Sequence, residues 1–451
     1  MGIISEQASH LFNEICRCKD EQHQLSLKYT ESLLYCQLKD EGIYSVYVDH
    51  GITTEVYQIE LNKLKRTQYS AFFELVSLQE KFPEIIALND DLADNPELSG
   101  EEHRSSKKIS EILEKSGFKI EMPFAGLETA FRGVSGKDNH KYKVAVMAEY
   151  DALPVIGHAC GHCVSGSISV LAAIALAPLQ DQLNCDIHIL GTPNEEIDGA
   201  KCAMVDQGIF NDYDMAMMIH MYNQNLLYCK LLGLHSYLYT FHGKAAHASA
   251  APWDGVNALN AAQLMFHSID MLRQHVTPDV RMHGVYRNGG EAPNIVPEEA
   301  SAEFYFRALD RDYLSGLVKK ADNCAEGACL AMGTTWEKAP TAAVYDNLKN
   351  NEAGIEFLSE VYDELGIEIN GEHDKIFGSS DAGNVSFVCP TFHPTLQIVD
   401  KGVAIHTREF AEAVKSPRAH EAIRQGAMVI GLQVAKIFSD EEKIRRMKED
   451  F

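Results

Sequence analysis

The sequence predicts an α/β protein in which a mixed, largely parallel sheet is interrupted by a smaller α+β unit. Two observations carry this. Apolar, β-rich runs alternate with helical text from about residue 142 onward. Between about 230 and 345 the texture changes to alternating strands with amphipathic helices. A third observation concerns chemistry: polar groups fall at or shortly after the ends of four runs, and open α/β sheets form their sites beyond the carboxyl ends of strands.

Residues 1–65 stand apart as an N-terminal extension. Polar helical text over about 5–40 precedes "IYSVYVDHGITTEVYQIEL", two alternating runs around an Asp-His-Gly turn, which predicts a β-hairpin. From Ser70 a helix-like segment begins and is expected to break at Pro83. In "NPELSGEEHRSSKKISEILEKSGF" turn signals lead into a helix whose Ile109, Ile112 and Leu113 share one face. Then "YKVAVMAEY" (142–150) ends at Asp151, and "CDIHILGTP" (185–193) runs into Glu195 and Glu196. "DMAMMIH" (214–220) ends on His220, and "TLQIV" (395–399) leads towards His406. The text between the first of these, "SGSISVLAAIALAPL" and "GAKCAMVDQG", is helical. In the insert, "HSYLYTFHG" and "EASAEFYFRAL" alternate, while Leu259, Ala262, Phe266 and Ile269 recur at helical spacing. The expected division is therefore 66–229 with 346–451 as the sheet domain and 230–345 as the insert.

Composition excludes several classes. A chain of 451 residues exceeds the usual single core, so more than one domain is expected. The net charge of −25 argues against a nucleic-acid partner, and the nearest basic cluster, "KIRRMK" at 443–448, has acidic flanks. No apolar run reaches bilayer length, so no membrane is expected. "MGIISEQASHLF" lacks the layout of a signal peptide, which makes a cytoplasmic location the expectation. Eleven scattered cysteines should then stay reduced.

The motif "GHACGHC" (157–163) holds two histidines and two cysteines. A redox Cys-x-x-C seldom has histidines intruding. A structural zinc site needs a second Cys or His pair at short spacing. A zinc deaminase carries an H-x-E upstream of P-C-x-x-C, absent here. What fits is a catalytic metal site assembled from separate strand ends. Cys160 and His162 can converge at a turn, Glu195 and Glu196 supply one ligand and one base, and His220 and His406 complete the set. Two cations with a bridging water suit such a group. Cys163 is expected to point away from metal, and His188, inside a strand run, to be structural.

Six segments carry a resemblance: "AEYDALPVIGHACGHC", "GTPNEEIDGA", "GKAAHASAAPWDGVNALNAA", "NGGEAPNIVP", "FYFRA" and "GSSDAGNVSFVCPTFHP". Together they are similar to the aminoacylase/carboxypeptidase family of dinuclear metallopeptidases. The similarity falls within the branch of aminobenzoyl-glutamate hydrolase B subunits and β-alanyl-lysine (Xaa-Arg) dipeptidases, over about 70–440. The resemblance implies that the insert is a lid and dimerisation domain and that the chain forms a homodimer. It implies Cys160, His162, Glu196, His220 and His406 as ligands of two divalent ions, zinc or manganese. Glu195 falls on the general-base position and Asp151 on that of an acid orienting the metal cluster. His247 matches a histidine that reaches the partner's site. Asn294 and Arg307 match positions that hold the substrate's carboxylate or polarised carbonyl, and Asp381 and Gly383 lie on a loop near substrate. Cys163 stands where relatives carry Asp or Asn, and "PNEE" replaces "PAEE". The implied reaction is hydrolysis of an amide between an acyl or aminoacyl group and an amino acid with a free carboxylate. A metal-dependent binding or regulatory protein and a hydrolase of ureido or other non-peptide amides are the competing readings.

Overall fold

The structure, a computed structural model, describes residues 81–451 apart from 137, 374, 376 and 377, together with the backbone of four strands between 24 and 60. Those strands, β1 (Gln24–Tyr29), β2 (Ser32–Leu38), β3 (Ile43–His50) and β4 (Thr53–Glu60), form an antiparallel sheet in sequence order. The β3–β4 pair is a hairpin, with His50 opposite Thr53. The helical expectation for 5–40 is corrected over its second half. "QLSLKY" has apolar residues at every second position, a strand period. Its first half, like the segment 70–80, lies outside the described residues.

Pro83 sits in the first turn of the helix Phe82–Asp94; the segment expected to break there lies outside the described residues. A first-turn residue has no intrahelical use for its N–H, so proline is tolerated there. Ile85, Leu88 and Leu92 of this helix face the core, as do Ile109, Ile112 and Leu113 of the helix His103–Lys115.

The main sheet takes β5 (Lys119–Glu121), β6 (Phe131–Val134), β7 (Tyr142–Ala148), β8 (Cys185–Gly191) and β9 (Met215–Met217). The run 214–220 divides, because β10 (His220–Tyr222) leaves this sheet. The insert supplies β11 (Gly233–His242), β12 (Arg281–Asn288), β13 (Glu299–Ala308) and β14 (Thr335–Pro340), and the chain returns with β15 (Thr391–Phe392) and β16 (Thr395–Gln397). The main sheet runs β15-β9-β7-β8-β6-β5. Its first four members are parallel, and β6 and β5 add antiparallel pairings. β10 pairs with β16 as a separate parallel ribbon. From β7 the chain goes to β8 on one side and then to β9 on the other, so strand order reverses at β7. Such a switch point opens a crevice at the carboxyl ends.

Every residue of β8 is buried, as expected of a strand covered on both faces. The helix His162–Leu176 packs on β7 and against the helices Phe82–Asp94 and Pro417–Phe438. The expectation that no run reaches bilayer length is corrected here. The stretch His162–Leu183, 22 residues, is long and apolar enough to cross a bilayer, but most of it is buried inside the protein. It is apolar all round because it is a central core helix.

The insert is a four-stranded antiparallel sheet, β12-β13-β11-β14. The helices Ala258–Leu272 and Arg311–Met332 cover one face over a core of Tyr239, Phe241, Phe304 and Phe306. Asn257 and Asp310 cap these helices by accepting from the backbone N–H of Asn260 and Tyr313.

Two helical glycines should respond oppositely to alanine. A Cβ on Gly166 would lie 2.4 Å from the Glu149 carbonyl oxygen at the end of β7, whereas Gly316 has nothing within 4 Å. Gly166→Ala should cost about 1–3 kcal/mol by overpacking, and Gly316→Ala should add about 0.5–1 kcal/mol by helix propensity. Denaturant unfolding of the two variants checks both signs.

Candidate metal centre

The carboxyl end of β7 delivers Glu149 and Asp151, and the turn after it brings Cys160 before the helix that starts at His162. β8 leads into Glu195 and Glu196, and β10 opens on His220. His406 adopts a left-handed backbone, φ +63°, and its N–H donates to the Ala159 carbonyl at 2.9 Å. A non-glycine residue held there marks a place where surrounding structure overrides local preference.

These segments converge. Three groups of donors each have their ligating atoms within 4.8 Å of one another: Cys160, His162 and His220; Cys160, Glu196 and His406; His162, Glu195 and Glu196. Cys160 Sγ lies 3.4 Å from His220 Nε2, and His406 Nε2 lies 3.4 Å from Glu196 Oε1. Donors sharing one tetrahedral ion at roughly 2.0–2.3 Å stand about 3.5 Å apart, so the spacing fits. Buried His162 Nε2, Glu149 Oε2 and Glu196 Oε1 have no hydrogen-bond partner. Orphaned atoms of this kind are what a cation would satisfy.

The outer contacts fix the ring orientations. His220 Nδ1 is 2.8 Å from the Met221 carbonyl; a carbonyl only accepts, so the proton is on Nδ1 and Nε2 presents its lone pair. His162 Nδ1 is 2.8 Å from Asp151 Oδ1. Asp151 Oδ2 accepts from Ser99 Oγ at 2.8 Å and from the Glu196 N–H at 3.1 Å. Burial works against the charged form of Asp151, but His162 and these donors hold its carboxyl well below the usual range. Glu195 goes the other way. Burial first, then the charges of Glu149, Asp381 and Glu196, raise it well above the ordinary carboxylate range. Bound cations would act against that rise.

Four residues at the centre are not among those the sequence singles out. Glu149 precedes Asp151 by two positions at the same strand end, a local signal that could have found it. Lys201, fully buried, places its Nζ 2.7 Å from Glu149 Oε1 and 2.7 Å from Asp381 Oδ1. Burial opposes both carboxylates, yet Lys201 draws Glu149 down to about 2 while Asp381 stays raised, at about 6. His393, buried with both ring nitrogens unpartnered, stacks on His220 at 5.5 Å. Tyr345 donates its hydroxyl to the Glu195 carbonyl at 2.7 Å.

The insert residues are arranged differently. His247 is exposed, and its Nδ1 accepts from the N–H groups of Ser249 and Ala250 at 3.3 and 3.2 Å, so Nε2 carries the proton. Asn294 lies beside it, its carbonyl accepting from the Ala248 N–H at 3.0 Å. Among the described residues, neither has a hydrogen bond or ion pair to the ligand group within the chain. Arg307 on β13 donates Nη1 to Ser379 Oγ at 3.0 Å and keeps a buried, unpartnered Nε.

Two residues of the loop 378–384 make tight internal contacts. Asp381 is fully buried, its carboxylate on Lys201 and within 4.8 Å of the carboxylate oxygens of Glu149 and Glu195. Gly383 is a packing position, because a Cβ there would lie 2.0 Å from the Asp346 carbonyl oxygen. Cys163 lies wholly within the core, its thiol pushed up to about 12 by burial. His188 Nδ1 shares a hydrogen bond with Tyr213 Oη at 2.9 Å inside β8. All eight cysteines within residues 81–451 are free thiols.

A family profile described as "Peptidase dimerisation domain" matches residues 230–331. An Xaa-Arg dipeptidase of Mus musculus is 34% identical over 373 residues, 79% of this chain and 86% of its own. The B component of the p-aminobenzoyl-glutamate hydrolase of Escherichia coli K12 is 24% identical, over 80% of this chain and 90% of its own. The YXEP protein of Bacillus subtilis, described as a dinuclear metal binding peptidase from the M20 family, superposes with a TM-score of 0.60. It is 18% identical and covers 77% of this chain and 98% of its own.

Lys201→Met would leave two buried carboxylates facing each other without a counter-charge. Removing one partner of such a buried group costs about 3–5 kcal/mol. Chemical unfolding of the variant beside the parent measures the loss.

Proposed function

Since this chain belongs to the M20 peptidase family, in the branch of the Xaa-Arg dipeptidases and aminobenzoyl-glutamate hydrolases, we propose that it hydrolyses the amide joining an acyl or aminoacyl group to an amino acid that bears a free carboxylate. One observation carries the reading: Glu195, a carboxylate with raised proton affinity, lies within 4.8 Å of the ligating atoms of His162 and Glu196. A binding protein has no use for a base placed beside its metal ligands.

Cys160, His162, Glu196, His220 and His406 would hold two divalent ions, which when bound acidify a water and polarise the substrate carbonyl. Glu195 takes the proton of that water and delivers it to the leaving nitrogen. Its burial raises its proton affinity, which suits a group that takes up a proton before passing it on. Asp151 holds His162 in place throughout. His247, protonated on Nε2, donates to the developing oxyanion from the partner subunit's insert. Arg307 presents its guanidinium to the free carboxylate, where a planar fork suits two oxygens.

The thiolate of Cys160 favours zinc, while the carboxylate and imidazole donors also accommodate manganese. The partner is a second copy of this chain, joined through the insert. Exposed Met271 and Leu330, 69% and 78% accessible on the insert's helices, are apolar surface that such an interface would cover. A reducing, cytoplasmic setting belongs to the same proposal, and the free thiols, with Cys160 among them, favour it.

Glu195→Gln should retain two ions per chain while kcat falls by about 10²–10⁴. Elemental analysis and turnover of a panel of N-acyl amino acids, dipeptides and aminobenzoyl-glutamate test this together, and a parental rate refutes the base. The shared site makes a second prediction. Glu195→Gln and His247→Ala homodimers should each be nearly inactive, but mixed dimers should regain activity. In these, one site combines an intact Glu195 with an intact partner histidine. Recovery on co-expression is the readout, and none is expected if His247 serves its own chain.

A further inference from the structure

We propose that Tyr345, in the hinge of the insert, is a positioning residue that sets the general base, so that Glu195 is correctly placed only while the insert is seated. This rests on the reading of Glu195 as the base.

Both connections between the sheet domain and the insert pass this point. The outgoing strand is tied to the returning one by Leu234 N–H to the Tyr345 carbonyl at 2.8 Å and Tyr345 N–H to the Leu234 carbonyl at 3.0 Å. Leu348 N–H to the Leu231 carbonyl, 3.3 Å, extends the tie. The Tyr345 ring, 6% exposed, packs with Leu234 of the insert and Cys202 of the sheet domain. From there its hydroxyl reaches the Glu195 carbonyl at 2.7 Å.

That carbonyl belongs to the peptide joining base to ligand, and the same peptide's N–H, on Glu196, donates to Asp151 Oδ2. The Glu195–Glu196 peptide is therefore gripped at both ends. Asp151, which also orients His162, holds one end, and the hinge holds the other. A peptide plane fixed in this way fixes the direction in which both side chains leave it.

The local sequence clears space for the arrangement. A Cβ on Gly199 would lie 2.8 Å from Tyr345 Cε1 and 2.9 Å from its hydroxyl; one on Gly233 would lie 3.1 Å from the Tyr345 carbonyl. Gly199 also closes the turn that follows the base, its N–H donating to the Asn194 carbonyl at 2.7 Å with φ +64°. A rotation of the insert about 231–234 and 345–348 would act on Tyr345 and, through its hydroxyl, on the Glu195 carbonyl.

The test uses the full-length, metal-loaded protein and one good substrate. Tyr345→Phe removes only the hydroxyl. It should keep the parental metal content and fold, with a small loss of stability from the unpartnered Glu195 carbonyl, while kcat falls about 10- to 100-fold and KM changes far less, as for a misplaced catalytic group. Gly199→Ala, which presses a methyl on the phenol, should act in the same direction and combine non-additively with Tyr345→Phe; it also serves if Tyr345→Phe does not fold. A parental kcat in Tyr345→Phe, metal lost in step with activity, or strict additivity overturns the inference. Glu195→Gln separates the two readings. If that variant is inactive while Tyr345→Phe is normal, the hinge inference alone fails; if Glu195→Gln is active, the base reading fails first.

Discussion

Five carboxylates, those of Glu149, Asp151, Glu195, Glu196 and Asp381, are packed at one end of the central sheet, and one ammonium, Lys201, lies among them. Four of the five residues are buried. Each buried ion costs several kcal/mol of lost hydration, so this much negative charge persists only if protons or cations balance it. Lys201 balances Glu149 and part of Asp381. Glu195 shows the proton solution in its raised affinity, and the thiol and imidazoles gathered beside Glu196 define the cation solution. The candidate metal ligands and a carboxylate of raised proton affinity thus have one origin: an excess of carboxylates in a largely buried place.

The fold makes that concentration possible because strand order reverses at β7. The reversal leaves the end of β7 bordered by the segments following β8 and β9, so side chains far apart in sequence arrive at one crevice. The helix beginning at His162 runs back over β7 so closely that Gly166 meets the Glu149 carbonyl. This anchors one imidazole to the strand end that carries its carboxylate partner. The separate β10–β16 ribbon does the same for the last ligands, since it sets His220 beside the segment that leads to His406.

The parts of this centre that are legible in the sequence are those whose meaning lies in local pattern. Apolar runs ending on Asp151, Glu195, Glu196 and His220 announce strand ends, and the apolar continuity of β7 and β8 announces their burial. The expectations that fail have the same root. "QLSLKY" is polar enough to resemble helical text although its apolar residues alternate. Lys201, His393 and Tyr345 lack any local signature. A lysine in helical text reads as solvated surface, and only tertiary placement puts it between two buried acids. Asp381 and Gly383 share a motif, but adjacency in sequence says nothing about which way a side chain points. Here one turns to Lys201 and the other makes room for a backbone carbonyl.

Two of the polar contacts between the insert and the sheet domain lead to the charged centre. Arg307 touches Ser379, two residues from Asp381, and Asp381 holds Lys201 against Glu149. Tyr345 touches the backbone of Glu195. A carboxylate that drew Arg307 towards itself would therefore act on the loop that carries Asp381, the acid paired with Lys201, while Tyr345 would act on Glu195. Substrate recognition by the insert, as proposed, and the electrostatic balance of the centre would share this short chain of contacts. A substrate lacking the carboxylate would occupy the crevice without loading the first of them. Selectivity for acids would then arise in the placement of catalytic groups as well as in binding, and it would be seen in kcat as well as in KM.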